Sequence, residues 1–269
     1  MKNIEIKKFE LGYALTQEQI DYFNTHGFLH FEGFLPEEQV DAIIASSEQV
    51  QNEWIRNQVK TINGIPIKYG VDEHGNKIVQ RFAFANKFSK EIQAFIRHPQ
   101  LNALNVLLAN GARIGENEKD GVVLNHYINV PNSNYKQLGW HTDSARDIFY
   151  GKKIEQFINI GLYLDDSAEH NGGLRVLPGT HKQGLFSTLF KKAYFLNNQD
   201  DKNEVLIRAK KGDLVLHDGR IWHRVAASPH FGELSRRRVI YVPLITGAYE
   251  PKDEFSKTPI YHKFQKLAG

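Results

Sequence analysis

Between residues 122 and 245 the apolar side chains of this chain come in short runs: VVLNHYINV, QFINIGLYL, GLRVLPG, EVLIRAKKGDLVLHDG and RRVIYVPLI. They are rich in β-branched and aromatic residues, are punctuated by Gly and Pro, and have no long helical pattern between them. Such residues fit a pleated, half-buried surface, and short strands with frequent turns favour a sandwich, jelly roll or barrel over a doubly wound sheet. The first third has a different texture. Thr16 with Gln19 three residues later makes a capping box that opens TQEQIDYFNTH, and Gly27 can terminate that helix. After the apolar segment FLHFEGFL, Pro36 suits the first turn of a second helix, in which Val40, Ile43, Ile44, Val50 and Trp54 mostly keep helical spacing. Two further short helices are predicted at 90–97 and 101–109. No repeat, low-complexity tract or linker divides the chain. A mainly β fold with flanking helices is expected in one domain: residues 1–120 a mainly helical scaffold, 121–248 the β core and 249–269 a C-terminal tail.

Composition removes several function classes. The 269 residues contain no cysteine, which excludes disulfides, thiolate zinc sites, iron–sulfur clusters and a cysteine nucleophile, so any metal must sit on His, Asp or Glu. The formal charge is +3, too small an excess to predict nucleic-acid or membrane partners. The opening MKNIEIKKFELGY alternates charged and apolar residues, and no later stretch approaches the length of a membrane span. A soluble, cytoplasmic protein is expected; its oligomeric state is not legible.

The chemistry concentrates in two places. In Gly139-Trp140-His141-Thr142-Asp143, a His-x-acid pair on an extended strand projects both side chains to one side. With 12 histidines and 31 acidic residues, chance supplies about one or two such pairs. The other, His30 with Glu32, lies in an apolar segment without a partner cluster and reads as structural. What lifts His141 and Asp143 above this background is a second cluster at 212–223, GDLVLHDGRIWH, followed by Arg236-Arg237-Arg238 at the head of an apolar strand. Two histidines and one carboxylate on one face of a metal leave other coordination positions open, the arrangement suited to non-haem iron(II). An arginine beyond the second histidine suits a dicarboxylate cosubstrate.

Taken in order, LTQEQIDYFNTHGFLHFEGFLPEEQV, WHTD, NGGLRVLPGTHKQG and the GD…WHRV segment with its downstream arginine strand span nearly the whole chain. Together they resemble the phytanoyl-CoA dioxygenase-like family of Fe(II)- and 2-oxoglutarate-dependent oxygenases. The resemblance implies a double-stranded β-helix (jelly-roll, cupin-like) core. It implies His141, Asp143 and His223 as the metal ligands and catalytic centre, with Fe(II), 2-oxoglutarate and O2 as cofactor and cosubstrates. The implied reaction is hydroxylation of an unactivated C–H bond with release of succinate and CO2; desaturation and ring formation use the same centre. Asp143 argues against the related halogenases, which lack the carboxylate ligand. Aligning RRVIYV with the family's arginine-led strand favours Arg237 as the cosubstrate anchor, with Arg238 in reserve and the longer gap absorbed at 228–232. On a strand, Arg237 shares its face with Val239 and Tyr241, and Arg236 and Arg238 share the other. Asn129 is a second cosubstrate candidate, and Asn125 lies on the same face, toward the substrate. Val225 departs from the family, which often has serine at that position. His217 is structural, or a neighbour of the ligands.

Other readings compete. His141 and Asp143 alone would make an ordinary hydrogen-bonded pair, and two of the three arginines are expected to be solvated edge-strand charges. The Lys/Asp-rich stretch 191–211 reads as a solvated loop or, less readily, as a lid over the jelly-roll mouth. Tyr69, Arg81 and Arg146 are candidates to meet an anionic substrate group, but each has an ordinary surface explanation. Another mononuclear cupin-type metal enzyme would not need Arg237, and a non-catalytic jelly-roll binding module would need neither chemistry nor cosubstrate.

Overall fold

A computed structural model of the chain describes residues 6–108, 111–131, 133, 135–144, 155–184, 186–187, 191–259 and 262. Helices α1 (Gln17–His26), α2 (Glu37–Arg56) and α3 (Lys90–Ile96) arise where the caps and periodicity place them. At the start of α1 the Thr16 hydroxyl accepts from the Gln19 amide at 3.2 Å, while the Gln19 side chain accepts from the Thr16 amide at 2.9 Å. Gly27 ends the helix at φ +82°, and a Cβ there would run into the His181 ring, so both conformation and space select glycine. Val40, Ile43, Val50 and Trp54 form the buried face of α2. Ser89 caps α3 through the Ile92 amide. The helix expected at 101–109 is instead a 3-10 helix, Pro99–Leu107, with i→i+3 bonds such as Leu101 to the His98 carbonyl.

Strands β1 (Phe28–Phe31), β2 (Thr61–Ile62), β3 (Ile65–Pro66), β4 (Lys68–Val71), β5 (Lys77–Phe82) and β6 (Arg113–Ile114) precede the β core. The core holds β7 (Val123–Tyr127), β8 (Leu138–His141), β9 (Phe157–Tyr163), β10 (Gly173–Val176), β11 (Val205–Leu206), β12 (Leu214–Asp218), β13 (His223–Ala226) and β14 (Arg237–Ile245). An antiparallel sheet in the order β1-β12-β9-β14-β7-β5-β4, with β6 also on β14, cooperates with a smaller antiparallel sheet, β11-β10-β13-β8. Together they make a jelly roll.

The region before residue 120 is less purely helical than its periodicity predicts, because β1, β4, β5 and β6 all join the larger sheet. FLHF becomes a strand because it covers the edge of β12, Phe28 opposite His217 and Phe31 opposite Leu214. The β4–β5 hairpin turns on Asp72, whose carboxylate accepts from the amides of His74 and Asn76.

Alternation along β9 shows how the layers form. Ile158, Ile160 and Leu162 enter the main hydrophobic core with Val40, Ile43 and Trp54 of α2 and Phe95 of α3. Each such buried side chain contributes about 1.5–3 kcal/mol over its exposed state. On the opposite face, Phe157 and Asn159 line a cavity of about 160 Å³ that also receives Leu138, His141, His223 and Val225 from the smaller sheet. One face of the larger sheet therefore packs on helices, and the other is left for the site.

Candidate metal centre

His141 and His223 are cross-strand partners, the last residue of β8 and the first of β13, and their ring centroids lie 4.1 Å apart. Two residues after His141, Asp143 turns its Oδ1 toward both rings, 3.7 Å from His141 Nε2 and 3.8 Å from His223 Nε2. One ligand atom from each of the three lies within 4.8 Å of the others. The sequence separates these residues widely; strand pairing brings them together.

The donor atoms have the chemistry a divalent metal requires. His141 Nδ1 donates to the Gly139 carbonyl at 2.7 Å, and His223 Nδ1 lies 3.1 Å from the Ile221 carbonyl. A carbonyl only accepts, so each ring carries its proton on Nδ1 and turns a bare Nε2 to the centre. Burial pushes both imidazoles below their usual range, His223 well below, and keeps them neutral. Burial alone would raise the Asp143 carboxyl, but His223 and a hydrogen bond from His217 outweigh it and hold the group far below the ordinary carboxylate range. Two neutral imidazoles and one ionised carboxylate is the deprotonated donor set that metal binding needs.

The three consecutive arginines separate cleanly. Arg238 forms a two-pronged pair with Asp165, at 2.9 and 2.7 Å, and Arg236 meets Glu233 and His126. Arg237 is 3% exposed and is not among the residues that line the cavity, though its neighbour Tyr127 is, and no carboxylate among the described residues pairs with it. Its Nη2 donates to the Ala226 carbonyl at 3.1 Å, its Nε has no partner among the described residues, and the guanidinium lies 5.3 Å from the Tyr127 ring centroid. Burial pushes Arg237 down to about 10. A buried guanidinium without a counter-ion is costly, and a dicarboxylate placed between it and the His141–Asp143–His223 centre would relieve that cost. The residues present therefore fit both an iron ion and 2-oxoglutarate.

The remaining expectations fall in different places. Asn125 lines the cavity and accepts from the Tyr135 hydroxyl at 3.0 Å. Asn129 stands outside the cavity lining, its side-chain amide donating to the carbonyls of Ser228 and His230 at 2.9 and 3.0 Å. Val225 lies on the wall. His30 is structural: its Nε2 is 2.7 Å from Asp213. Tyr69 bonds to the Val59 carbonyl, Arg81 pairs with Asp120 on the cavity wall, and Arg146 lies outside the described residues.

Two wall residues escaped the sequence reading. Tyr194 and Phe195 line the cavity from within the Lys/Asp-rich stretch. Phe195 sits 4.9 Å from the His141 ring and its amide donates to the Trp140 carbonyl, while Tyr194 shares a 2.5 Å hydrogen bond with Thr142. Arg224, 4% exposed, holds the following turn through the Asn198 carbonyl and Glu204. The available signal was an aromatic pair inside an otherwise polar stretch.

Comparison with known proteins agrees with this geometry. A probable alpha-ketoglutarate-dependent hypophosphite dioxygenase of Stutzerimonas stutzeri is 22% identical over 242 residues, covering 82% of this chain and 76% of that protein. The solved alpha ketoglutarate dependent carbocyclase SnoK of nogalamycin biosynthesis superposes with a TM-score of 0.61 at 17% identity, over 94% of this chain and 90% of its own. The epimerase SnoN of the same biosynthesis gives 0.60 at 15% identity, over 87% and 83%. These solved structures share the fold. The family description "Phytanoyl-CoA dioxygenase (PhyH)" matches residues 23–237, four-fifths of the sequence, and by that match the chain belongs to the phytanoyl-CoA dioxygenase family.

Proposed function

We propose that this chain is an Fe(II)- and 2-oxoglutarate-dependent dioxygenase that hydroxylates an unactivated C–H bond of a small molecule, with succinate and CO2 as coproducts. The carrying observation is a two-histidine, one-carboxylate cluster on the wall of a cavity, with the uncompensated Arg237 guanidinium buried against Tyr127, a residue of the same wall. Arg237 favours this reading over a cosubstrate-independent cupin enzyme or a binding module, neither of which has a use for a buried, unpaired cation.

In this reading His141, Asp143 and His223 hold the iron, and Arg237 pairs with the distal carboxylate of 2-oxoglutarate. When bound, iron and 2-oxoglutarate supply the oxidising chemistry; the protein supplies orientation and a dry site. Backbone carbonyls fix the two imidazoles in the tautomer that leaves Nε2 free. Asn129 supports Arg237 by pinning the 228–230 turn that precedes β14. Tyr194, Phe195 and Phe157 give the cavity its aromatic wall and keep water from the centre, and Asn125, Lys68 and Lys119 make its polar side. Hydroxylation is the leading outcome; ring formation or epimerisation, the activities named for SnoK and SnoN, would differ in how the substrate is presented to the same centre.

Anaerobic addition of iron(II) and 2-oxoglutarate tests the reading. A weak visible charge-transfer band is expected, and His141→Ala and Asp143→Ala are expected to lose it. Absence of the band in the unaltered protein would overturn the proposal.

A further inference from the structure

Asp143 presents its two oxygens to two different sheets. Oδ1 faces His141 and His223, both on the smaller sheet. Oδ2 accepts from Asn159 Nδ2 at 3.1 Å and lies 3.3 Å from His217 Nε2, both on the larger sheet. Asn159 and His217 are direct cross-strand partners on β9 and β12, so one rung of the larger sheet holds one carboxylate oxygen. His217 is 1% exposed, its ring centroid is 4.5 Å from that of His223, and its Nδ1 has no partner among the described residues. A carboxylate only accepts, so His217 must donate from Nε2.

We propose that the Asn159–His217 rung is a positioning device that locks Asp143 as a one-oxygen ligand and so reserves a coordination position for the cosubstrate. The inference rests on reading the cluster as a metal centre. A carboxylate with both oxygens free beside a divalent ion can chelate it through both, and the second oxygen would occupy a position that a keto acid needs. With Oδ2 held from behind by two fixed donors, chelation requires breaking both hydrogen bonds. A third imidazole so close to the ligands is thereby explained as a proton donor to the carboxylate oxygen that faces away from the metal.

The test uses the full chain loaded anaerobically with Co(II) or Fe(II). His217→Leu and Asn159→Leu remove the donors, and His217→Gln keeps an N–H. In the double leucine variant we expect 2-oxoglutarate affinity to fall by about tenfold or more, the scale of one lost hydrogen bond to a charged group, metal affinity to fall less, and the visible bands of the Co(II) protein without cosubstrate to weaken, as an added ligand requires. His217→Gln should restore much of both signals. Unchanged cosubstrate affinity and Co(II) spectrum in the double variant would overturn the inference. So would loss of metal from His217→Leu as complete as from His223→Ala, which would make His217 a ligand in its own right. A parallel loss of metal, cosubstrate and melting temperature would overturn it too, as a folding role. If the unaltered protein binds metal but never 2-oxoglutarate, the functional reading fails on its own, and the Co(II) spectra still decide the coordination of Asp143.

Discussion

Arg237 is the residue on which the cosubstrate reading turns. Its neighbours in sequence are neutralised by Asp165 and Glu233, but its own partners among the described residues are carbonyls and aromatic faces. Burial pushes it from 12.5 down to about 10, so keeping it charged at neutral pH costs on the order of 3 kcal/mol. Arg237→Met is therefore expected to raise the melting temperature of the ligand-free protein, by about 2–4 °C for each kcal/mol recovered. The same change is expected to weaken 2-oxoglutarate by about 2–5 kcal/mol, because a desolvated carboxylate would be left unpaired. Thermal melts with and without the keto acid check both halves: wild type gains stability on adding it, and the variant does not.

At the scale of elements, the site is assembled by register. The β8–β13 pairing sets His141 opposite His223, and the β9–β12 pairing sets Asn159 opposite His217. The segment after residue 191 closes one side because β8 has a glycine where it passes: a Cβ on Gly139 would meet the Phe195 carbonyl. Gly139→Ala is expected to push the 194–199 turn off the wall, raising its cleavage in limited proteolysis and lowering turnover while the His141–Asp143–His223 cluster stays in place. A metal titration with an unchanged endpoint and a new cleavage site in this turn would be the expected pair of results. The stretch read from composition as a solvated loop thus carries solvated lysines outward and two aromatics inward.

For the molecule as a whole, the N-terminal strand and the β core are tied through Asp213. Its carboxylate accepts from the amides of Gly33 and Lys210, each at 2.9 Å, and meets His30 at 2.7 Å. Burial acts to raise its pKa, but the His30 contact and the two amides prevail and hold it below 3.8. A carboxyl depressed by folding stabilises the native state above its unfolded value and loses that contribution as pH falls through the folded one. Asp213→Asn is expected to cost about 1–3 kcal/mol at pH 7, with the gap to wild type closing as pH falls below 3.8. Urea unfolding at pH 7 and at the lowest pH where both proteins fold measures it. The Gly-Asp pair at residues 212–213 is in this sense architecture.

Local information carried a good deal. Capping chemistry marked α1, the β-branched runs each contained core strands, and the His-x-Asp spacing on an extended strand marked two of the three candidate ligands, because these depend on residues a few positions apart. What tertiary structure decided involves partners far along the chain. FLHF is a strand because β12 offers an open edge, and Arg237 is the inward arginine because Asp165 and Glu233 take its neighbours. Asn129 holds a turn rather than lining the cavity, and Tyr194 and Phe195 form a wall because Trp140 and Arg224 fasten their segment. Side-chain type and spacing determine which chemistry is available; only the closing of two sheets on each other determines which atoms face the same small volume.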